Sequence, residues 1–377
     1  MIKVKISTNF PWWPLLRQTP EGDGVWGQCQ FFVNQDVAEC DFWIVLDGLR
    51  APETARCRPE NTLLVTCEPP DFKTYAPDFV RQFGTVLTCH KDIDHPNVIL
   101  GQQGLPWMVG ATLDTDSLTW KNFFTFDQLA ASPSKKTKLL SVVASKKSMV
   151  PGHTKRDLFL SKLKERLGDR VDIYGMGYRP IDDKWNVIAP YKYHLAIENS
   201  VVENYWTEKL ADAFIGEAYP IYSGCPNIYE YFSPMALDLI DVEQIDQSID
   251  TIDRLITSER YLERRMEILN AKKKVLSEFN IFSVCERVVL ASIKLNGHLC
   301  PDELSRETYK GSEARNGIYY WDIFSKKFNR LINVVNVRNG KRKRLFGKVT
   351  LIPENYSRLS ELKRAAKRLI RPHLWHD

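Results

Sequence analysis

Asn199, Tyr205, Glu208 and Lys209 follow closely on an apolar run, Tyr193 to Ile197. That run reads as a buried strand ending in Glu198-Asn199-Ser200. Thr207 then stands where a helix N-cap would, with Glu208 in the first turn. The end of a strand meeting the start of a helix is where open α/β sheets take ligands, and helix N-termini favour phosphate. An amide, a phenol, a carboxylate and an ammonium converging there describe a site for an anion or a nucleotide. Arg156 lies in the first turn of a second expected helix, just after another strand. A cation in that place opposes the helix dipole unless an anion is bound, and it can help to hold a diphosphate. Glu68 follows the apolar run Leu63 to Thr66 and precedes Pro69-Pro70, which end the strand and fix the turn. A carboxylate at a strand's C-terminal edge is placed to face a cleft between domains; an ordinary turn-capping Glu would look the same.

The elements that must position these residues alternate. In the first half the expected strands are Lys3–Ser7, Phe42–Asp47, Thr62–Cys67 and Thr85–Cys89. The stretch from Ala131 to Lys138, rich in Ser and Lys, reads as a linker. A second alternation follows: strand 139–144, helix 155–167, strand 171–175, strand 193–198, helix 207–215 and strand 219–222. Residues 242–295 are helical by pattern. Strands alternating with helices argue parallel sheets with crossover connections. The expected fold class is therefore α/β, with two doubly wound, Rossmann-like domains. The expected boundaries are 1–131, 139–295 and a C-terminal helical, basic region, 296–377.

The block from Tyr193 resembles the donor-binding signature of the α1,3/α1,4-fucosyltransferase family: an apolar strand, Glu-Asn-Ser, then Tyr-x-Thr-Glu-Lys. It continues in the same order through Ala213 to Gly216, Pro220-Ile221-Tyr222, Ser223-Gly224-Cys225-Pro226 and Tyr231-Phe232-Ser233-Pro234. The resemblance runs over about Leu139 to Val242, is weaker in the N-terminal half and fades after about Leu290. It implies a bacterial-type enzyme of GT-B architecture, with two facing domains, the first on the acceptor side and the second binding a nucleotide-sugar donor. By resemblance Lys209 neutralises phosphate, Tyr205 donates its hydroxyl to it, Glu208 takes ribose hydroxyls, Asn199 orients the nucleotide-sugar and Arg156 clamps the pyrophosphate. Tyr174, with Gly175 and Tyr178 at another strand end, is a candidate for contacting the base. Glu68 resembles the general base that deprotonates an acceptor hydroxyl. The implied reaction is inverting transfer of fucose from GDP-fucose to a glycan hydroxyl, α1,3-type, in bacterial surface-glycan synthesis. No cofactor is required, and divalent-cation stimulation is compatible with it. Another nucleotide sugar on the same scaffold, or a non-catalytic nucleotide-sugar or glycan-binding protein docked on membranes, are the alternatives.

Composition narrows the classes. The chain has 377 residues, 44% of them hydrophobic, enough for two cores. No apolar run approaches the length of a membrane span. The eight cysteines are scattered without a Cys-x-x-Cys pair, which suits free thiols in a reducing cytosol. The Asp92-Ile93-Asp94 segment between His90 and His95 reads as a charged loop, and no metal site is expected. From Leu331 to Asp377 there are twelve Lys/Arg and three Asp/Glu, so a net +9 tail follows a net −4 body in a chain of +5. Within the tail, Tyr356, Leu359, Leu362, Ala366, Leu369 and Ile370 recur at helical spacing beside basic residues. That pattern suits an anionic membrane surface, or equally a closing helix packed on the body. No recognition motif accompanies the charge, so nucleic acid is not an expected partner. The expected location is cytoplasmic, peripheral on the inner membrane face.

Overall fold

Strands β1 (Ile2–Thr8), β2 (Val25–Trp26), β3 (Cys29–Val33), β4 (Phe42–Leu46), β5 (Glu53–Cys57), β6 (Thr62–Val65), β7 (Thr85–Thr88) and β8 (Val98–Leu100) make the first unit. All but β5 join one sheet, ordered β2-β3-β1-β4-β6-β7-β8 and parallel except at the β2–β3 edge. The structure is a computed structural model describing residues 1–10, 13–114, 119–121, 123–145, 151–295, 347–352 and 354. The apolar runs that build the sheet have two buried faces, as parallel strands must. Phe42, Ile44 and Leu46 of β4 face one core while Trp43 and Val45 face the other, following the two-residue period of a strand. Strand β1 lies between β3 and β4, so the chain reverses direction across the sheet there.

A short antiparallel pair, β9 (Thr112–Asp114) and β10 (Thr119–Lys121), leads into the second unit. Between them and the body, the buried Arg17 guanidinium donates to the carbonyls of Trp107 (2.9 Å), Val109 and Phe124 (both 3.1 Å). The two short helices that precede this unit's sheet and site are α1 (Pro77–Val80) and α2 (Phe126–Ala131), the latter started by a Thr125–Gln128 capping box.

The second sheet contains β11 (Lys138–Val143), β12 (Val171–Tyr174), β13 (Tyr191–Ile197), β14 (Tyr219–Ser223) and β15 (Asp238–Leu239). Its order is β12-β11-β13-β14-β15, all parallel. Helices α3 (Pro151–Leu167), α4 (Trp185–Ile188), α5 (Glu208–Ile215), α6 (Ile245–Thr257), α7 (Arg260–Glu263) and α8 (Arg265–Ser277) complete it, and α9 (Ile281–Leu295) follows in the chain. Here the chain reverses between β11 and β13, the place where a doubly wound sheet opens a crevice at its strands' C-terminal ends. The α/β class with two doubly wound parallel sheets is thus as expected.

The structure departs from the sequence reading in several places; β2, β5, β8, β9, β10 and β15 are short strands it did not anticipate. Strand β3 was not expected: Cys29 and Phe31 are buried, but the segment is short and its alternation is blunted by Phe32 and Val33. Helix α9, expected within 139–295, packs on the first sheet, burying Ile281, Phe282, Cys285, Val288 and Val289 against β1, β4 and β6. Conversely Trp107, Val109 and Leu129, expected in the first unit, lie in the second core. Finally, the region 296–377 is not all helical: β16 (Gly347–Leu351) pairs antiparallel with β5 and buries Val349 and Leu351. The basic amphipathic segment beyond Glu354 lies outside the described residues.

Candidate functional site

The crevice between β11 and β13 is a cavity of about 440 Å3, lined among others by Ala144, Ser145, Arg156, Gly175, Lys184, His194, Asn199, Glu208, Lys209 and Asp212. Gly175, just after β12, has φ +111°, and a Cβ there would sit 2.0 Å from the Ala144 carbonyl oxygen. Only glycine lets these two strand ends form the wall together. Phe72 of the first unit also reaches this cavity, and Lys91 meets Glu203 at 3.1 Å across the two units. The C-terminal edges of both sheets therefore look onto one cleft.

Helix α5 sets the centre of the site. Glu198, at the end of β13, is buried and accepts from the Thr207 amide and hydroxyl, both at 2.8 Å. Thr207 in turn accepts from the Lys209 amide at 3.3 Å and caps the helix. The Lys209 ammonium lies 3.4 Å from Glu208 and 3.5 Å from Glu198. Burial opposes its charge, but these two carboxylates outweigh burial and raise its pKa. Lys184 sits 3.6 Å from Glu208 and 3.0 Å from Asp212. Burial pushes Glu208 upward, yet Lys209 and Lys184 together bring it down to about 2. The site thus holds two ammonium groups and a carboxylate that stays ionised at any physiological pH. Arg156 donates to the Asn199 side-chain oxygen and to the Ser145 carbonyl, both at 2.9 Å, which fixes its guanidinium at the mouth of the β11–β13 crevice.

Glu68 stands on the other side of the cleft, at the end of β6. Burial, and then the negative charge of Asp47, raise its pKa to about 7; Lys209, and less strongly Lys73, oppose the rise. Tyr205 is buried between the units, where burial and the carboxylates of Glu198, Glu68 and Glu208 push its phenol up. A carboxyl poised near neutrality can accept a proton, and the cations it faces can receive an anion such as a diphosphate.

Arg156, Asn199, Glu208 and Lys209 are brought together at the cavity, and Tyr205 and Glu68 lie beside it. Tyr174 is not brought there. Its ring is buried with Val187 and Tyr191, and its hydroxyl pairs with that of Tyr191 at 2.7 Å. The next residues, Gly175 and Met176, line the cavity in its stead. Tyr178 lies half-buried beside Asp157 and Arg156. Lys146 and Lys147 lie outside the described residues, and the side chains of His153 and Lys155 are likewise not described. His90 donates from Nε2 to the Glu68 carbonyl at 2.9 Å, and Asp94 pairs with Arg81, so the Asp-x-Asp loop is engaged locally. Among the described residues no three His, Cys, Asp or Glu are arranged to hold a metal, and the seven described cysteines are free and buried.

Sequence reasoning missed Glu198, Lys184 and Asp212. Glu198 stood within the block already singled out; its burial was the missing signal. Lys184 and Asp212 are 28 positions apart and meet only through the fold. His194 is buried against Ser141 Oγ (2.8 Å), and burial, with Lys184 and Lys136, depresses its pKa to about 3, so it is a neutral wall of the cavity.

Residues 133–279, the unit that carries this cavity, match the family model for the C-terminal region of glycosyltransferase family 10, the fucosyltransferases. Over that segment the chain is similar to this family. It is 34% identical over 83 residues to the α-(1,3)-fucosyltransferase FucT of Helicobacter pylori, a match covering 22% of this chain and 17% of that protein. The chain thus spans about a sixth of the length of this curated relative. Among solved structures, an α1,3-fucosyltransferase with GDP is similar at TM-score 0.43 and 18% identity, over 74% of this chain and 92% of that one. An α1,3-fucosyltransferase with GDP-fucose is similar at TM-score 0.38 and 18% identity, over 73% and 90%.

Proposed function

We propose that the chain is a glycosyltransferase that moves fucose from GDP-fucose to a hydroxyl of a glycan acceptor, in one inverting displacement. The observation that carries the reading is Glu68, with a pKa of about 7, standing across one cleft from Lys209 and Glu208. The acceptor oxygen attacks the anomeric carbon of the donor as its proton passes to the Glu68 carboxylate. The bond to the phosphate oxygen breaks, and GDP leaves with the electron pair. Arg156, Lys209 and the α5 N-terminus meet the charge that develops on the diphosphate. Glu208, ionised throughout, accepts from sugar hydroxyls, and Asn199, already held by Arg156, orients the donor. The family description and the likeness to FucT support fucose as the sugar that is moved. A role in bacterial surface-glycan synthesis on the cytoplasmic side of the membrane extends the same reading, and the +9 tail supports it.

Transfer and donor hydrolysis with a panel of GDP-, UDP- and dTDP-sugars test the reading, using wild type and Glu68→Gln. The expected result is turnover with GDP-fucose alone. Glu68→Gln should retain GDP binding and lose roughly two or more orders of magnitude in kcat, the range that general-base removal gives. Preference for a non-GDP donor overturns the donor assignment. Binding of GDP-fucose without turnover by wild type with any acceptor favours a binding protein.

A further inference from the structure

Asp47 is not part of the cavity and was singled out by nothing in the sequence, yet it sits where the first sheet reverses direction. It follows β4, next to the end of β1, and its neighbour β6 carries Glu68. It is buried and adopts φ +65°, a left-handed conformation that Asp and Asn tolerate better than other side chains. Its Oδ1 accepts from the Tyr75 hydroxyl at 2.6 Å. Its Oδ2 accepts from Lys73 Nζ at 3.0 Å and from Asn9 Nδ2 at 3.1 Å.

The Tyr75 hydroxyl is fully used. Its oxygen accepts from the Cys67 amide at 3.1 Å and from the Glu68 amide at 3.4 Å. With both lone pairs so engaged, the single phenolic proton has one direction left, toward Asp47. The direction of this chain of bonds therefore requires an acceptor at position 47. On the far side, His90 holds the Glu68 carbonyl at 2.9 Å, and its ring packs edge-on to Tyr75 at 5.3 Å between centroids. Both backbone polar groups of Glu68 are thus gripped by side chains rather than by a neighbouring strand. Glu354, just beyond β16, closes the outer end: it accepts from the Ala76 amide at 2.7 Å and lies 3.6 Å from Lys73.

We propose that Asp47 is a positioning residue for Glu68, acting through the Tyr75 hydroxyl to fix the backbone at 67–68. The inference rests on the reading of Glu68 as the base. The charged and titratable groups that face Glu68 are Asp47 at the end of β4, Lys73 and Tyr75 on its own loop, Cys67 on its strand, and Cys89 and His90 after β7. From the second unit come Lys209 and Glu208 on α5 and Tyr205 before it. Asp47 is the strongest negative neighbour among them.

The test compares wild type, Asp47→Asn, Asp47→Ala and Glu68→Gln in the full-length chain. It measures kcat, donor KM, GDP affinity, melting temperature and the pH dependence of kcat/KM. Asn keeps an acceptor oxygen for Tyr75 and tolerates the positive φ, but removes the charge. Asp47→Asn should hold its plateau kcat within about threefold, while its acid limb moves to lower pH because a negative neighbour of the base is gone. Asp47→Ala removes the acceptor as well, and kcat should fall about ten- to hundredfold with donor KM and GDP affinity nearly unchanged, since a base displaced by a fraction of an ångström is a poor one. A merely structural Asp47 would lower melting temperature and leave the acid limb in place. Wild-type kcat and an unmoved acid limb in both variants, measured below their melting temperatures with Glu68→Gln inactive, overturn the inference alone. Full turnover by Glu68→Gln overturns the base reading and the inference with it.

Discussion

A carboxyl that takes a proton from a sugar hydroxyl must be ionised in the resting enzyme yet basic enough to accept that proton. In the proposed reaction Glu68 meets both demands because its pKa is raised to about 7. Being an acid, it is the active ionised form above that value. Turnover should therefore rise roughly tenfold from pH 6 to pH 8, the change in ionised fraction across a pKa of 7. Initial rates at saturating donor check this; a flat profile over that range would remove Glu68 from the base role. Glu208, held at about 2 by its two lysines, contributes no limb to the profile. That Arg156, Asn199, Glu208 and Lys209 meet at one cavity was legible in the chain because they lie in short runs at strand ends and helix starts. Tyr174 was misread for a related reason: the strand end was recognised, but not which face its last residue points to, which depends on a neighbour, Tyr191, 17 positions away.

At the scale of the element, strand ends that meet closely set narrow tolerances. Gly175 cannot carry a side chain: φ +111° and the Ala144 carbonyl at 2.0 Å from a Cβ both forbid it. Gly175→Ala should destabilise the fold by about 3 kcal/mol, read from urea unfolding, and weaken donor binding along with it. The C-terminal strand gives a second expectation. β16 buries Val349 and Leu351 and its neighbour Glu354 holds Ala76 and Lys73. A chain ended at Asn336 should unfold at least about 3 kcal/mol more easily, since each fully buried aliphatic side chain contributes about 1.5 to 3 kcal/mol. One ended at Glu354 should match the full-length chain; equal stability of the two truncations would show that β16 adds nothing. The alternation of strand and helix was readable because parallel strands are apolar on both faces. The helix at 281–295 was readable but its place on the first sheet was not, and β16 was not read at all, because each packs on a sheet far back in the sequence and burial pattern names no partner.

For the whole molecule, charge is unevenly spread, with the basic excess after Leu331. The reading that this tail docks on anionic lipid is now testable without disturbing β16, by ending the chain at Glu354. Phosphatidylserine vesicles should sediment the full-length protein at low salt and much less of the truncation, each engaged basic residue adding about 1 kcal/mol. The difference should vanish as salt rises. Equal sedimentation of both forms would refute a lipid role for residues 355–377.

Asp212 belongs to two neighbourhoods at once. One oxygen pairs with Lys184 in the cavity at 3.0 Å; the other accepts from the amides of Met108 and Val109 at 3.0 and 3.1 Å, on the segment that joins the units. A diphosphate that drew Lys184 away would leave this carboxylate more strongly committed to those two amides. Occupancy of the donor cavity would then be audible at a distance. GDP should slow the exchange of the Met108 and Val109 amide hydrogens with deuterated solvent, though neither residue lines the cavity. Unchanged exchange there on saturation with GDP would mean that the crevice and the connection between the units work independently.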